Sequence, residues 1–355
     1  MILESLGYGP DFKSAFVDLN LDGTIPGRVV WQSTYSYRVQ CEIGEIDAEP
    51  TGKVKAAVLP AVGDWVAVRL PEIGGMGMIL AVLPRKSTFS RSAAGKVVNE
   101  QVIASNIDEV FIVTDLDQDF NLRRIERYVT LVYNSGAGPV VVLNKTDLAA
   151  DVDSVVAQTE AVSPGIPVYA VSAEDGLGMD QLQRHLGPGR TVAFLGSSGV
   201  GKSTIINRLV GKERMAVGEV RQADGKGRHT TTHRELVSLP EGGAVIDTPG
   251  MREIGVWGDE QGLAGTFPEV DELARECRFN DCRHESEGGC AVKEALESGR
   301  LDASRVGSFM KLRSEFENLE QRRSYRARLE EKRRGKRFAK MVREVNRHNP
   351  KRKNQ

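Results

Sequence analysis

Thr191-Val192-Ala193-Phe194-Leu195-Gly196-Ser197-Ser198-Gly199-Val200-Gly201-Lys202-Ser203-Thr204 is the stretch that decides the fold. Its apolar opening has the composition of a doubly buried parallel strand. Its centre satisfies G-x-x-x-x-G-K-[ST], and a helical pattern starts at Thr204. In that context the glycines let backbone N–H groups curl round phosphate oxygens, Lys202 adds positive charge near the β and γ phosphates, and the Ser203 hydroxyl is placed to bind Mg2+. Each residue from Gly196 to Thr204 is therefore a candidate contact to a nucleoside triphosphate, with Lys202 also a candidate catalytic group.

A phosphate loop does not choose a base. Asn144-Lys145-Thr146-Asp147 follows the buried run 140–143, and a parallel strand aims the loop at its carboxyl end into a ligand crevice. An aspartate there accepts two hydrogen bonds from the N1–H and exocyclic amine of guanine, while Asn144 and Lys145 brace the loop and the ring face. Adenine has an acceptor at N1 and would leave Asp147 unpaired, a discrimination on the order of 10⁴. Ser172-Ala173, after the run 167–171, adds a backbone contact to the base. Asp247-Thr248-Pro249-Gly250, after 244–246, supplies an aspartate for the Mg2+ site and a glycine N–H for the γ-phosphate. Thr230-Thr231-Thr232 is placed to give a hydroxyl to the same ion.

The order of these motifs is circularly permuted: Asn144 precedes Gly196 by 52 residues, whereas an ordinary GTPase meets its phosphate loop first. Permutation preserves the spatial constellation because the ends of a compact domain lie close together. It also sends the chain from Asp247 directly into a cysteine-bearing segment, so loss of the γ-phosphate could move that segment. Met251 stands where many GTPases carry a water-orienting glutamine, which predicts slow unaided turnover, on the order of 10⁻³ s⁻¹ or less. His229, beside the threonines, is the candidate water-positioning group.

Strand-type runs at 110–113, 140–143, 167–171, 191–195 and 244–246 alternate with helix-length segments and predict a parallel sheet covered on both faces across 96–258. Residues 27–95 instead read as short strands, at 35–42, 54–58, 64–70 and 76–83, between Pro- and Gly-rich breaks. That pattern suits an oligonucleotide-binding (OB-like) β-barrel, and an SH3-like barrel or sandwich fits it too. Residues 1–26 stand apart as an N-terminal extension.

Beyond residue 258, Cys277-x4-Cys282-x-His284-x5-Cys290 offers three thiolates and an imidazole within fourteen positions, enough for one closed, structural, tetrahedral Zn2+ site. Val306, Phe309, Leu312, Phe316 and Leu319 follow at helical spacing, which makes 259–320 a zinc-binding α-helical domain. Residues 321–355 hold fifteen Lys/Arg against three Asp/Glu, a local charge of +12 that leaves −13 on the rest of the chain. Such a tail, expected to be a frayed or binding-induced helix, seeks a phosphate backbone through counterion release. With the barrel it points to RNA.

The fold class is thus multidomain: an N-terminal all-β OB-like barrel, a central α/β P-loop GTPase domain and a C-terminal zinc-binding helical domain. Hydrophobic residues at 40% and charged residues at 27% exclude a largely disordered chain. No run of about eighteen apolar residues and no export signal is present, so a cytoplasmic protein with no membrane partner is expected. A monomer is the working expectation.

The permuted series Asn144-Lys145-Thr146-Asp147, Ser172-Ala173, Gly196 to Ser203, Gly227-Arg228-His229-Thr230-Thr231-Thr232 and Asp247-Thr248-Pro249-Gly250, with the Cys3His spacing, resembles the ribosome small-subunit-dependent GTPase A (RsgA/YjeQ) family over residues 27 to 320. The resemblance implies a role in late maturation of the small (30S) ribosomal subunit, binding of its rRNA, and hydrolysis of GTP to GDP with Mg2+, stimulated by that subunit. It also implies that Thr231 is the switch threonine. Two other readings compete: a P-loop ATPase or nucleotide kinase, against which Asn144-Lys145-Thr146-Asp147 speaks, and a zinc-containing RNA-binding protein with a vestigial nucleotide site, against which intact Lys202, Ser203 and Asp247 speak.

Overall fold

The computed structural model describes residues 2–33, 36–71, 74–92, 100–117, 119–211, 234–247 and 260–347. Two short helices come first, α1 (Ile2–Ser5) and α2 (Pro10–Asp18), then strands β1 (Ile25–Gln32), β2 (Tyr37–Cys41) and β3 (Gly44–Pro50), helix α3 (Gly52–Ala57), and strands β4 (Trp65–Arg69) and β5 (Gly77–Val82). Pairing in the order β1-β2-β3-β5-β4 closes on itself through β1 and β4. Only β3 and β5 run parallel. The result is a five-stranded barrel filled by Val29, Val39, Cys41, Ala48, Val66, Val68 and Ile79. One expected strand is corrected: residues 54–58 are mostly helix. Thr51 caps α3 by accepting the Val54 N–H, and a capped turn outweighs the short alternating pattern read from Val54.

A hairpin of β6 (Thr88–Ser92) and β7 (Glu100–Ser105) leads to the α/β region: β8 (Glu109–Asp115), α4 (Leu122–Ser135), β9 (Gly138–Asn144), α5 (Val152–Val162), β10 (Val168–Ala170), α6 (Met179–Gln183), β11 (Thr191–Leu195), α7 (Lys202–Val210), β12 (Arg234–Ser238) and β13 (Ala244–Asp247). The order β10-β9-β8-β11-β13 is parallel throughout. Side chains alternate across it with the strand period of two. Ile112, Val141, Leu143, Ala193 and Leu195 share a core with Ile125 and Val129 of α4, while Phe111, Val113, Val140, Val142 and Val192 share another with Ile205, Ile206 and Leu209 of α7. Antiparallel β12 closes this edge and passes the sheet on to the barrel: beyond a bulge between Val29 and Trp31, Trp31 and Gln32 pair with Glu235 and Arg234.

The first residues belong to the core. Tyr8 and Phe12 pack on Trp65 with ring centroids 4.9 and 5.7 Å away. Arg28, fully buried beneath them, donates to the carbonyls of Leu6, Gly63 (3.3 Å) and Asn106 (3.1 Å). Burial pulls its guanidinium down to about 10, with Asp108 and Asp64 opposing.

The C-terminal part consists of α8 (Gln261–Thr266), α9 (Pro268–Ala274), α10 (Ala291–Glu297) and α11 (Ala303–Arg347), around Phe267, Val292, Leu312 and Phe316. Helix α11 continues past residue 321 to Arg347, about 67 Å in all. Its Arg-, Lys-, Glu- and Ala-rich sequence has high intrinsic helix propensity. Arg305 of α11 fastens this module to the GTPase region. It donates to Glu126 Oε1 at 2.9 Å on α4, to the Val162 carbonyl at 2.8 Å at the end of α5, and to the Thr266 carbonyl at 2.9 Å. Among the described residues, no helix is long and apolar enough to cross a membrane.

Candidate active site and metal centre

The carboxyl ends of β8, β9, β10 and β11 lie along one edge of the sheet, and their loops leave it together, where open α/β sheets bind ligands. From β11 the chain turns through residues 196–201 into α7, whose first residue is Lys202. Gly196 (φ 151°) lies against the Val113 carbonyl and Gly201 (φ 92°) against Asn144 Nδ2, so a Cβ at either would collide. That close approach is why both must be glycine. The Lys202 ammonium folds over the loop, donating to the carbonyl of Gly196 at 2.8 Å and to that of Ser197. Ser203 and Thr204 follow in the first turn of α7, at the positive end of the helix dipole.

One side chain ties three of the motifs together. Asn144, buried at the end of β9, donates through Nδ2 to the Val200 carbonyl at 2.8 Å and accepts through Oδ1 from the Ala173 N–H at 3.0 Å. The loop at 144–147, the loop at 196–201 and the Ser172-Ala173 loop therefore meet on one amide. Lys145 takes a left-handed conformation (φ 62°, ψ 43°), and its ammonium pairs with Asp115 Oδ2 at 2.8 Å. Thr146 donates its N–H to the Val171 carbonyl at 3.2 Å, which starts the short turn Thr146–Leu148 and leaves Asp147 exposed. The Ser172 hydroxyl donates to Asp175 Oδ2 at 3.0 Å, fixing the third loop.

Asp247 ends β13 on the strand beside β11, with its backbone paired to Glu235. His229, the threonines 230–232, Gly250 and Met251 lie outside the described residues. Sequence reasoning passed over Asp115 and Arg124, both in contact with the motif loops. The available signal was a carboxylate at the end of a parallel strand.

The four metal-ligand candidates converge. Ligand atoms of Cys277, Cys282, His284 and Cys290 all lie within 4.8 Å of one another. Cys277 Sγ stands 3.9 Å from Cys290 Sγ and 3.6 Å from His284 Nδ1, which is 3.4 Å from Cys290 Sγ. A tetrahedral zinc with bonds of about 2.0–2.3 Å sets its ligand atoms about 3.5–3.8 Å apart, so the donor set fits that ion. Burial, helped by Arg313, lowers the His284 pKa and favours the neutral, metal-binding imidazole. Burial beside the other sulfurs pushes the Cys282 thiol up to about 11, a penalty on the thiolate that a divalent cation reverses.

Comparison with known proteins points the same way. The RsgA GTPase family model matches residues 82–257. The chain is 50% identical to the small ribosomal subunit biogenesis GTPase RsgA of Opitutus terrae, over 89% of this chain and 90% of that one. Its structure is similar to that of YjeQ from Thermotoga maritima, with a TM-score of 0.62 and 28% identity over 82% of this chain and 98% of that one. It also has the fold of YloQ, a circularly permuted GTPase, with a TM-score of 0.61 at 24% identity over 84% and 96% of the two chains.

Proposed function

We infer the function from one premise: the chain belongs to the RsgA GTPase family. It is a GTPase that acts in biogenesis of the small ribosomal subunit. The observation that carries the nucleotide reading is Asn144, which brings the base-reading loops and the phosphate loop onto one buried amide.

In our reading, the backbone N–H groups of residues 196–204 and the Lys202 ammonium hold the phosphates, and Asp147 accepts from guanine while Asn144, Lys145, Thr146, Ser172 and Ala173 shape its pocket. Ser203, Thr231 and Asp247 would hold Mg2+, which would supply positive charge against the charge developing on the phosphates. Lys202 and the Gly250 N–H stabilise the same charge from the protein side. His229 orients the attacking water, which adds to the γ-phosphorus as the bond to the bridging oxygen breaks. With Met251 unable to assist, the unaided rate is low.

The Cys3His cluster takes one structural Zn2+. The barrel (27–95) and the basic tail (321–355) hold rRNA, flanking in sequence the GTPase (96–258) and zinc (259–320) regions. The test is GTP turnover with and without purified small subunits at two salt concentrations. Stimulation of at least about tenfold that weakens as salt rises is expected. GTP turnover that the subunit leaves unchanged at both salt concentrations would contradict the reading.

A further inference from the structure

The segment between β8 and α4 carries none of the nucleotide motifs, yet it touches both sides of the site. At its start, Asp115 is level with Asn144 in the β8–β9 register, and the Leu116 N–H bonds to the Asn144 carbonyl at 3.1 Å. The Asp115 side chain is only 8% exposed, and both of its oxygens are engaged: Oδ2 with Lys145 Nζ at 2.8 Å and Oδ1 with the Asp119 N–H at 2.8 Å. At the far end the Asp119 carboxylate pairs with Arg124 of α4. Arg124 Nη1 donates to the Ser197 hydroxyl in the phosphate loop at 2.9 Å. Contacts thus run from Lys145 through Asp115, Asp119 and Arg124 to Ser197. This second tie between the base loop and the phosphate loop is independent of the Asn144 amide.

Lys145 needs such a partner. It holds a left-handed backbone conformation that a non-glycine residue adopts only when its surroundings enforce it. Its four-carbon stem also has the largest class of rotamer freedom to lose when it is laid against a base. Asp115 fixes the ammonium, and with it the stem, before a ligand arrives, so less ordering remains to be done on binding. An aspartate serving only the turn would need the Asp119 N–H alone; here the second oxygen is committed to Lys145.

We propose that Asp115 is a positioning residue for guanine-nucleotide binding that acts through Lys145, with Arg124 holding the phosphate loop in register. The proposal rests on the reading of residues 144–147 as the guanine loop. The test is a double-mutant cycle on the full chain, with GDP and Mg2+ titrated into wild type, Asp115→Asn, Lys145→Met and the double variant. Asparagine keeps the shape and the acceptor for Asp119 but removes the charge that Lys145 faces.

Asp115→Asn is expected to weaken GDP binding about tenfold in the wild-type background and by less than about twofold once Lys145 is methionine. An equal loss in both backgrounds, or no loss in the first, overturns the proposal. Should Asp115→Asn not fold, Asp115→Ser, which also removes the charge, takes its place in the same cycle with the same two criteria. Failure of the underlying reading would look different: the unmutated chain would bind ADP as well as GDP. Failure of the proposal alone leaves selective GDP binding intact.

Discussion

The nucleotide loops are gathered from residues as far apart as Asn144 and Ser203 by the order of strands in one sheet, and a single amide bonded to Val200 and Ala173 joins them. The metal-ligand candidates fall within fourteen consecutive positions and converge with little regular secondary structure between them. In the first region the fold makes the site, since strand order and glycine spacing bring the loops together. In the second the site helps to make the fold, because the ligand sulfurs are part of the small core they share with Phe267 and Leu312. Removing a ligand should therefore have opposite consequences in the two places. On this account a nucleotide would leave an intact sheet, whereas a metal would not leave an intact knuckle.

Chelation is the strongest way to break that contrast. Binding of a structural zinc is worth on the order of 10 kcal/mol in a small module. Its removal should release one ion per chain and expose residues 260–312 to hydrogen exchange, while GDP affinity changes by less than about threefold. If the chelated chain loses GDP binding as well, the two regions are one folding unit.

Arg305→Met probes the joint between them. Glu126 has no exposed side-chain surface and sits between Arg305 and Arg123, each at 2.9 Å. Losing Arg305 should cost about 4 kcal/mol in urea unfolding, with part of it recovered when Glu126 is also made apolar. A loss below about 1 kcal/mol would show that the module is held by apolar contacts alone.

Asn144→Ala sharpens the contrast from the nucleotide side. Two buried hydrogen bonds disappear, and GDP affinity should fall about 100-fold with the zinc content unchanged. A proportional drop in zinc content would mean that the loops support the whole chain rather than a ligand.

What was legible in the sequence follows the same division. The Cys3His cluster and the glycine-rich loop 196–201 announce themselves through local spacing, because metal geometry and close backbone approach each demand fixed residue types at fixed intervals. The parallel strands were legible from runs such as 140–143, apolar on both faces. Residues 54–58 were misread because a two-residue period over five positions is a weak signal beside the helix cap at Thr51.

Other features carry no local signal at all. Arg305 and Glu126 are 179 positions apart, and either alone reads as an ordinary surface charge on a helix. The same holds for Asp115 and Lys145, which become partners only when β8 and β9 pair. In the first residues a signal existed and was passed over: Leu3, Leu6, Tyr8 and Phe12 recur at short intervals, and all four are buried.

The most direct test of the guanine assignment is the base preference of Asp147→Asn. Guanine presents two donors to the carboxylate, whereas xanthine presents one donor and one acceptor, which an asparagine amide can match. GDP binding should fall by at least about 100-fold while xanthosine diphosphate binding rises above that of the wild type. Undiminished GDP binding by Asp147→Asn, with no gain for xanthosine diphosphate, would contradict the claim that residue 147 reads the base over the Lys202 phosphate loop.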